Sequence, residues 1–355
     1  MINREDCFVL RGLAILCIFV HNYCHLLPNT ARENEFYFDV DNDSYFISHI
    51  FTSDFVIQLF SYLGHLGVPV FVFLTGYGLA QKYECSPVMV ETRCFIWRHY
   101  RKFFFPILGG MLSFFVVFWL IYGYLWNDCW HTFIMQITMT GNFALHPNNL
   151  IKPGPYWYFG LTMQLYIIYI LFVYHRSINL IFMFVAGSIV LLFFVQSKHY
   201  SLIWIKYNSL GWLLPYSIGL WVARRKIKLN FKKIQFICAG FISSILIFIF
   251  GRNYYLWLLI PLLSVISFIC ICSFLQKGGL LYNVAFFLGR ISLYIFVVHP
   301  IVREIIRSAI PLNYRYEGLL LYIIIVVLCS WTISFIPNPL KNIKNLNSIY
   351  KRVKS

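Results

Sequence analysis

Long, unbroken apolar runs separated by short polar connectors make up most of the chain. A bilayer core is crossed by a helix of about 20 predominantly apolar residues, and the lack of period-two alternation argues against a β-barrel. About ten runs meet that length criterion, at 8–28, 55–80, 104–126, 156–174, 178–196, 209–223, 234–250, 255–275, 283–303 and 318–336. The run 130–141, bounded by Asp128 and Gly141, is too short and predicts a re-entrant or interfacial piece. The pattern therefore predicts an all-α, polytopic membrane helix bundle occupying 1–340, followed by a basic tail at 341–355. The longest connectors, 29–54 and 127–155, carry Pro, Asn and aromatic residues (His146, Pro147, Asn148, Asn149, then Pro153, Gly154, Pro155), which predicts ordered lids over the bundle. The runs show no internal repeat, which disfavours an inverted-repeat transporter.

Composition narrows the class. Of 355 residues, 60% are apolar and only 12% charged, with a mean hydropathy of +0.70. A single water-soluble core cannot bury so much apolar surface, and a disordered chain would not carry it. The formal net charge of +16 would suggest nucleic acid on a soluble protein. Here the basic residues lie between the apolar runs, so they read as topology signals with membrane lipids as neighbours, and no nucleic-acid partner is expected.

With the N-terminus in the cytoplasm, most of the basic residues fall inside. They include Arg93, Arg98, Arg101 and Lys102 after the second run, the cluster Arg224, Arg225, Lys226, Lys228, Lys232 and Lys233, and Lys341, Lys344, Lys351, Arg352 and Lys354 in the tail. Most acids fall outside, including Glu33, Glu35, Asp39, Asp41, Asp43 and Asp54. This charge pattern predicts both termini cytoplasmic and a multi-pass protein of the cell (inner) membrane. The apolar run after Arg4 reads as an uncleaved first span. The cysteines are scattered, most lie in apolar runs, and no metal-ligand spacing occurs among them, so no metal is expected.

Polar groups inside spans are costly and mark candidate chemistry. The first run reads Arg11-Gly-Leu-Ala through His21-Asn22-Tyr-Cys-His25. His21 and His25, four apart, share a helix face, and Arg11 lies ten residues before His21, ~15 Å along a helix axis. A neutral imidazole can take a hydroxyl proton as a general base. The alternative for either histidine is a side chain satisfied by a neighbouring helix. In the second run, His65-Leu-Gly67-Val-Pro69 to Thr75-Gly76 reads by default as a packing and kink motif. Arg98, Arg101 and Lys102 form one basic ridge at the mouth of the third run, suited to a phosphate-bearing ligand from the cytoplasm. Trp157 opens the fourth run, Gln164 lies inside it, and His299 in the ninth stands at a depth like that of His21. These three are the candidate acceptor contacts, and either backbone or Gln164 is a candidate to orient His21. All the acids fall in loops or near span ends, so no buried acid is expected beside His21.

In this order the motifs resemble the acyltransferase-3 family of integral-membrane acyltransferases, over about 1–340. Four carry the resemblance: Arg11-Gly-Leu-Ala with His21, Gly67-Val-Pro69 with Thr75-Gly76, Arg98 with Arg101, and Gly289-Arg290-Ile-Ser292-Leu-Tyr294 with His299. The resemblance implies a bundle of about ten helices that moves an acyl group, most often acetyl from acetyl-coenzyme A, onto a hydroxyl of a surface glycan or its lipid-linked precursor. It implies His21 as the residue activating the acceptor, Arg11 as the first-helix arginine, and Arg98 and Arg101 as the donor-side pair. In many members the histidine stands eleven residues after the arginine. Here that place holds Asn22, which leaves both His21 and His25 as candidates.

The expectation is a membrane O-acyltransferase with acyl-coenzyme A bound from inside by Arg98, Arg101 and Lys102. A continuous channel would join that vestibule to the imidazole. Direct transfer and an acyl-histidine intermediate both remain open. The alternative is a transporter or flippase for a glycan or anionic solute, which would also use intramembrane histidines and basic mouths.

Overall fold

The computed structural model describes residues 2–84, 89–196, 198–227 and 232–336. Lys228 and the tail 341–355 lie outside the described residues.

Among the described residues the main helices are α1 (Arg4–Cys24), α2 (Phe55–Tyr83), α3 (Thr92–Tyr122), α4 (Gly154–Val173), α5 (Ile178–Phe194), α6 (Leu213–Arg224), α7 (Lys233–Phe250), α8 (Ile260–Phe274), α9 (Leu280–Ala309) and α10 (Arg315–Ser334). Seven of them are long and apolar enough to cross a membrane: α1, α2, α3, α4, α7, α9 and α10. The other three are shorter. The described residues contain no strand. The all-helical membrane bundle expected from the apolar runs is the architecture found.

Helix bounds depart from the apolar runs where local chemistry intervenes. α3 starts well before the run at 104, because a helical turn needs backbone hydrogen bonds rather than apolar side chains. It stops at Gly123, whose φ of 74° lies in the left-handed region. The run at 255–275 is split. Asn253 caps a short helix, Tyr254–Trp257, by accepting from the Tyr255 and Leu256 amides, and α8 then restarts with Pro261 in its first turn. α9 continues through Pro300 to Ala309, past the end of its run.

The centre of the bundle is α1. Asn3 caps it by accepting from the Asp6 amide at 2.7 Å, and Glu5 and Asp6 complement the dipole of its first turn. It packs along α9, α2 and α8. The crossing with α9 is backbone on backbone: a Cβ on Gly12 would lie 1.7 Å from the Ala285 carbonyl oxygen, and one on Gly289 would lie 1.8 Å from that of Phe8. In the most apolar stretch of each helix, 61% of α1 but only 11% of α7 is buried. Phe241 and Ile249 of α7, and Leu320 and Leu328 of α10, face outward, as side chains do where lipid is the solvent.

Both long connectors fold as lids. Residues 29–54 form a helix (Val40–Ser48) and are tied to α2. Gln58 accepts from the Ala31 amide at 2.9 Å and donates to the Asn29 carbonyl at 2.8 Å. Asp43 accepts from Tyr62 at 3.0 Å and from Arg252 at 2.8 Å. In the second connector, the run at 130–141 forms a nine-residue helix, Cys129–Ile137, with Trp130 and Ile134 exposed and Thr132 and Gln136 buried.

Candidate active site

Two cavities lie one above the other along α1. The outer, about 180 Å³, is lined by His21, Asn22 and His25 of α1 and by His65 of α2. Asn34, Glu35 and Phe36 reach it from the first lid, Trp157 and Tyr158 from α4, and Phe296 and Arg303 from α9. The inner, about 110 Å³, holds Arg11 of α1, Thr75 of α2, Lys102 of α3, Tyr158 and Thr162 of α4, and Ser292 of α9 among its lining.

Both α1 histidines are oriented by backbone. His21 Nδ1 is 3.0 Å from the Phe60 carbonyl oxygen, and His25 Nε2 is 3.0 Å from that of Ser61. A carbonyl oxygen only accepts, so each of these nitrogens carries the hydrogen. The lone pair of His21 is thereby placed on Nε2 and that of His25 on Nδ1. The approach depends on Gly64, where a Cβ would lie 2.5 Å from the Cβ of His21. The His21 ring lies 3.9 Å from that of His25 and 5.6 Å from that of His65, centroid to centroid.

Around the histidines the wall is aromatic and polar. Phe36 stacks on Tyr207 at 4.3 Å and meets Trp157 edge-on at 5.1 Å. Arg303 donates to Asn22 Oδ1 at 3.5 Å, and Asn22 donates to the Ile18 carbonyl at 2.8 Å. Glu304 is 3.6 Å from both Arg303 and Arg307 and also accepts from Tyr122.

The first lid corrects the expectation that no buried acid lies near His21. Glu33 and Asp43 of that lid are buried, as is Glu304 of α9, and Glu35 lines the same cavity as His21. Burial pushes the Glu35 carboxyl up to about 7, against the pull of nearby Lys206. Burial likewise raises Glu33 to about 8, although Asn42 donates to it at 3.1 Å. Lys206, with its ammonium 4.2 Å from the Trp257 ring centroid, is lowered by burial to about 8. The two carboxyls hold their protons more tightly in the folded chain than at their ordinary 4.5. Folded stability is therefore lost as pH rises from about 4.5 through 7–8, and the loss is complete above that window. The double variant Glu33→Gln, Glu35→Gln is expected to gain about 5 °C in Tm relative to wild type between pH 5 and pH 8. Thermal melts in detergent check this; a difference that stays constant with pH contradicts it.

The remaining predicted residues divide. Arg11 and Lys102 share the inner cavity, and among the described residues neither forms an ion pair. No carboxylate lines that cavity. Arg98 is exposed and Arg101 lies over the Trp97 ring at 5.8 Å, a turn toward the start of α3. Neither lines the two cavities.

Trp157 lines the outer cavity; Gln164 and His299 do not. Gln164 donates to Asn208 at 2.8 Å and accepts from the Ser209 amide at 2.9 Å, so it bolts α4 to the turn before α6. His21 is oriented by Phe60 and not by Gln164. His299 is fully buried behind Phe296, with its Nδ1 on the Ile295 carbonyl.

The sequence reading did not single out His65, Glu35, Phe36, Tyr158 or Arg303 as site residues. His65 alone carried a signal, a third histidine at the outer end of an apolar run. The continuous channel is also corrected. The two cavities are separate, and Tyr158 and Phe296, which line both, stand between them with ring centroids 5.4 Å apart.

Among the described residues, no group of three or more His, Cys, Asp or Glu is placed to hold a metal ion. A protein-family model described as "Acyltransferase domain", that of the acyltransferase-3 family, matches residues 9–337. Neither a curated protein nor a solved structure matches the chain.

Proposed function

The chain belongs to the acyltransferase-3 family, and from that premise we propose that it is a membrane O-acyltransferase working across the bundle. It moves an acyl group, acetyl by preference, from cytoplasmic acyl-coenzyme A to a hydroxyl of a cell-surface glycan or its lipid-linked precursor. The observation that carries this reading is the pairing of two abutting cavities, one holding unpaired cations and the other a backbone-oriented imidazole.

The donor enters past Arg98 and Arg101. Arg11 and Lys102 hold its anionic groups, because a cation facing no carboxylate is free to pair with phosphate. The acceptor sits against Trp157 and Phe36, since sugar rings present apolar faces that suit aromatic walls, and Asn34, Glu35 and Arg303 bind its hydroxyls. His21 Nε2 takes the hydroxyl proton as the oxygen attacks the thioester carbonyl. The new C–O bond forms, the C–S bond breaks, and the proton passes from His21 to the departing thiolate, giving ester and free thiol. With ten spans and cytoplasmic termini, the inner cavity faces the donor side and the outer the acceptor side of the cell membrane.

The test is thiol release from acetyl-coenzyme A by detergent-purified protein supplied with the glycan fraction of its own membranes. Turnover without any gradient is expected. Lys102→Ala is expected to raise KM for acetyl-coenzyme A about tenfold while kcat changes little, the loss of one charge-assisted contact. Turnover only with a gradient across sealed vesicles would overturn the enzyme in favour of a transporter.

A further inference from the structure

Tyr158 and Phe296 are the two side chains that the inner and outer cavities share. Their rings meet at 5.4 Å between centroids and 53° between planes, so no chain of atoms passes between them as they stand. Non-bonded carbons rest about 3.5–4.0 Å apart, so an extended donor arm passes only if the rings part by roughly that much again.

Each ring also touches further rings, which limits how far it can swing. Tyr158 lies edge-on to Phe71 at 6.0 Å. Phe296 lies edge-on to Phe159 at 5.3 Å and to the fully buried His299 at 5.7 Å. The polar lining on the inner side, Thr75, Thr162 and Ser292, ends at these rings, and the histidines begin beyond them.

We propose that the Tyr158 and Phe296 rings form the aperture between donor and base, and that their bulk confines transfer to short acyl groups such as acetyl and propionyl. This rests on the acyltransferase reading above. The thioester carbonyl must come through the aperture to meet a hydroxyl deprotonated by His21, so the acyl group leads and its size meets the rings first. A longer chain needs the rings, and with them Phe71 and Phe159, to move further. In a close-packed interior that displacement is resisted. Between turnovers the same contact keeps the two cavities separate.

The experiment compares kcat/KM for acetyl-, propionyl-, butyryl- and hexanoyl-coenzyme A, read as thiol release in membrane vesicles that carry their own acceptor. Wild type is expected to favour acetyl over butyryl by at least tenfold, the discrimination available to a small apolar pocket. Phe296→Ala is expected to raise the butyryl-to-acetyl ratio about tenfold. Phe296→Leu, which keeps most of the packing volume, is expected to give an intermediate ratio and serves if the alanine variant does not fold. Tyr158→Phe retains the ring and is expected to leave the ratio where it was.

Equal use of acetyl and butyryl by wild type, or a ratio unmoved in the folded Phe296 variants, overturns the aperture while the acyltransferase stands. Wild-type membranes inert toward every donor overturn the acyltransferase reading itself.

Discussion

His21→Ala is expected to lower kcat for acyl transfer by roughly 10³-fold, within the range a positioned general base supplies. His25→Ala is expected to cost less than about tenfold. The two histidines share a helix face and a cavity, yet the backbone treats them differently. Phe60 takes the Nδ1 hydrogen of His21 and leaves its Nε2 lone pair, whereas Ser61 takes the Nε2 hydrogen of His25. A base needs its lone pair at the ring tip to reach a substrate hydroxyl without a clash with its own helix, and Nε2 is that tip. Because α1 and α2 are held together around Gly64, removing the His21 ring leaves the helix crossing in place. The kinetic loss should therefore appear in a folded protein. Full activity in a well-expressed His21→Ala variant, or a larger loss in His25→Ala, reverses the assignment.

Gly289→Val is expected to abolish folding rather than merely slow turnover. A Cβ at Gly289 would sit 1.8 Å from the Phe8 carbonyl oxygen, and the facing Gly12 is equally tight against Ala285. Both obstructions are backbone, which cannot rotate aside, so α1 and α9 must separate. Separation would break the contact between the central helix and the helix that supplies Phe296 and Arg303, at a cost above ~4 kcal/mol. Size-exclusion profiles in detergent should show aggregate for Gly289→Val. Gly78→Ala is the control, since a Cβ there meets nothing within 4 Å, and it should elute with wild type. A monodisperse Gly289→Val protein with an unchanged melting profile contradicts the packing described.

The parts of this structure that sequence makes legible are those governed by local pattern. Continuous apolar runs placed the helices, and the spacing of Arg11 and His21 along one helix placed an imidazole and a guanidinium in successive cavities. The lids at 29–54 and 127–155 were legible from their Pro, Asn and aromatic content. Helix ends were less so, because capping by Asn253 and the left-handed turn at Gly123 are set by backbone geometry that hydropathy does not register.

Long-range partners were not legible. Glu35 reads as one of several acids in a charged outer loop, and only the fold of that loop onto α2 carries it to the histidines. Gln164 reads as a lone amide in lipid, but its partners Asn208 and Ser209 are more than forty residues away. His299 reads as a counterpart of His21 in its run, but it contacts Phe296 and does not line the cavity, since helix rotation is fixed by packing. The partition at Tyr158 and Phe296 depends on two helices meeting at one level, which neither run discloses.

Transfer from a donor on one face of the membrane to an acceptor on the other is measured directly by sidedness. Right-side-out vesicles from cells expressing the protein would be loaded with acetyl-labelled coenzyme A, and the label in glycan tested for release by an esterase added outside. Alkali-labile acetyl ester is expected to be accessible from the outside, with free thiol confined inside, and neither is expected in vesicles carrying His21→Ala. Ester that forms only on the inner face, or label that reaches the outside still joined to coenzyme A, would contradict that transfer.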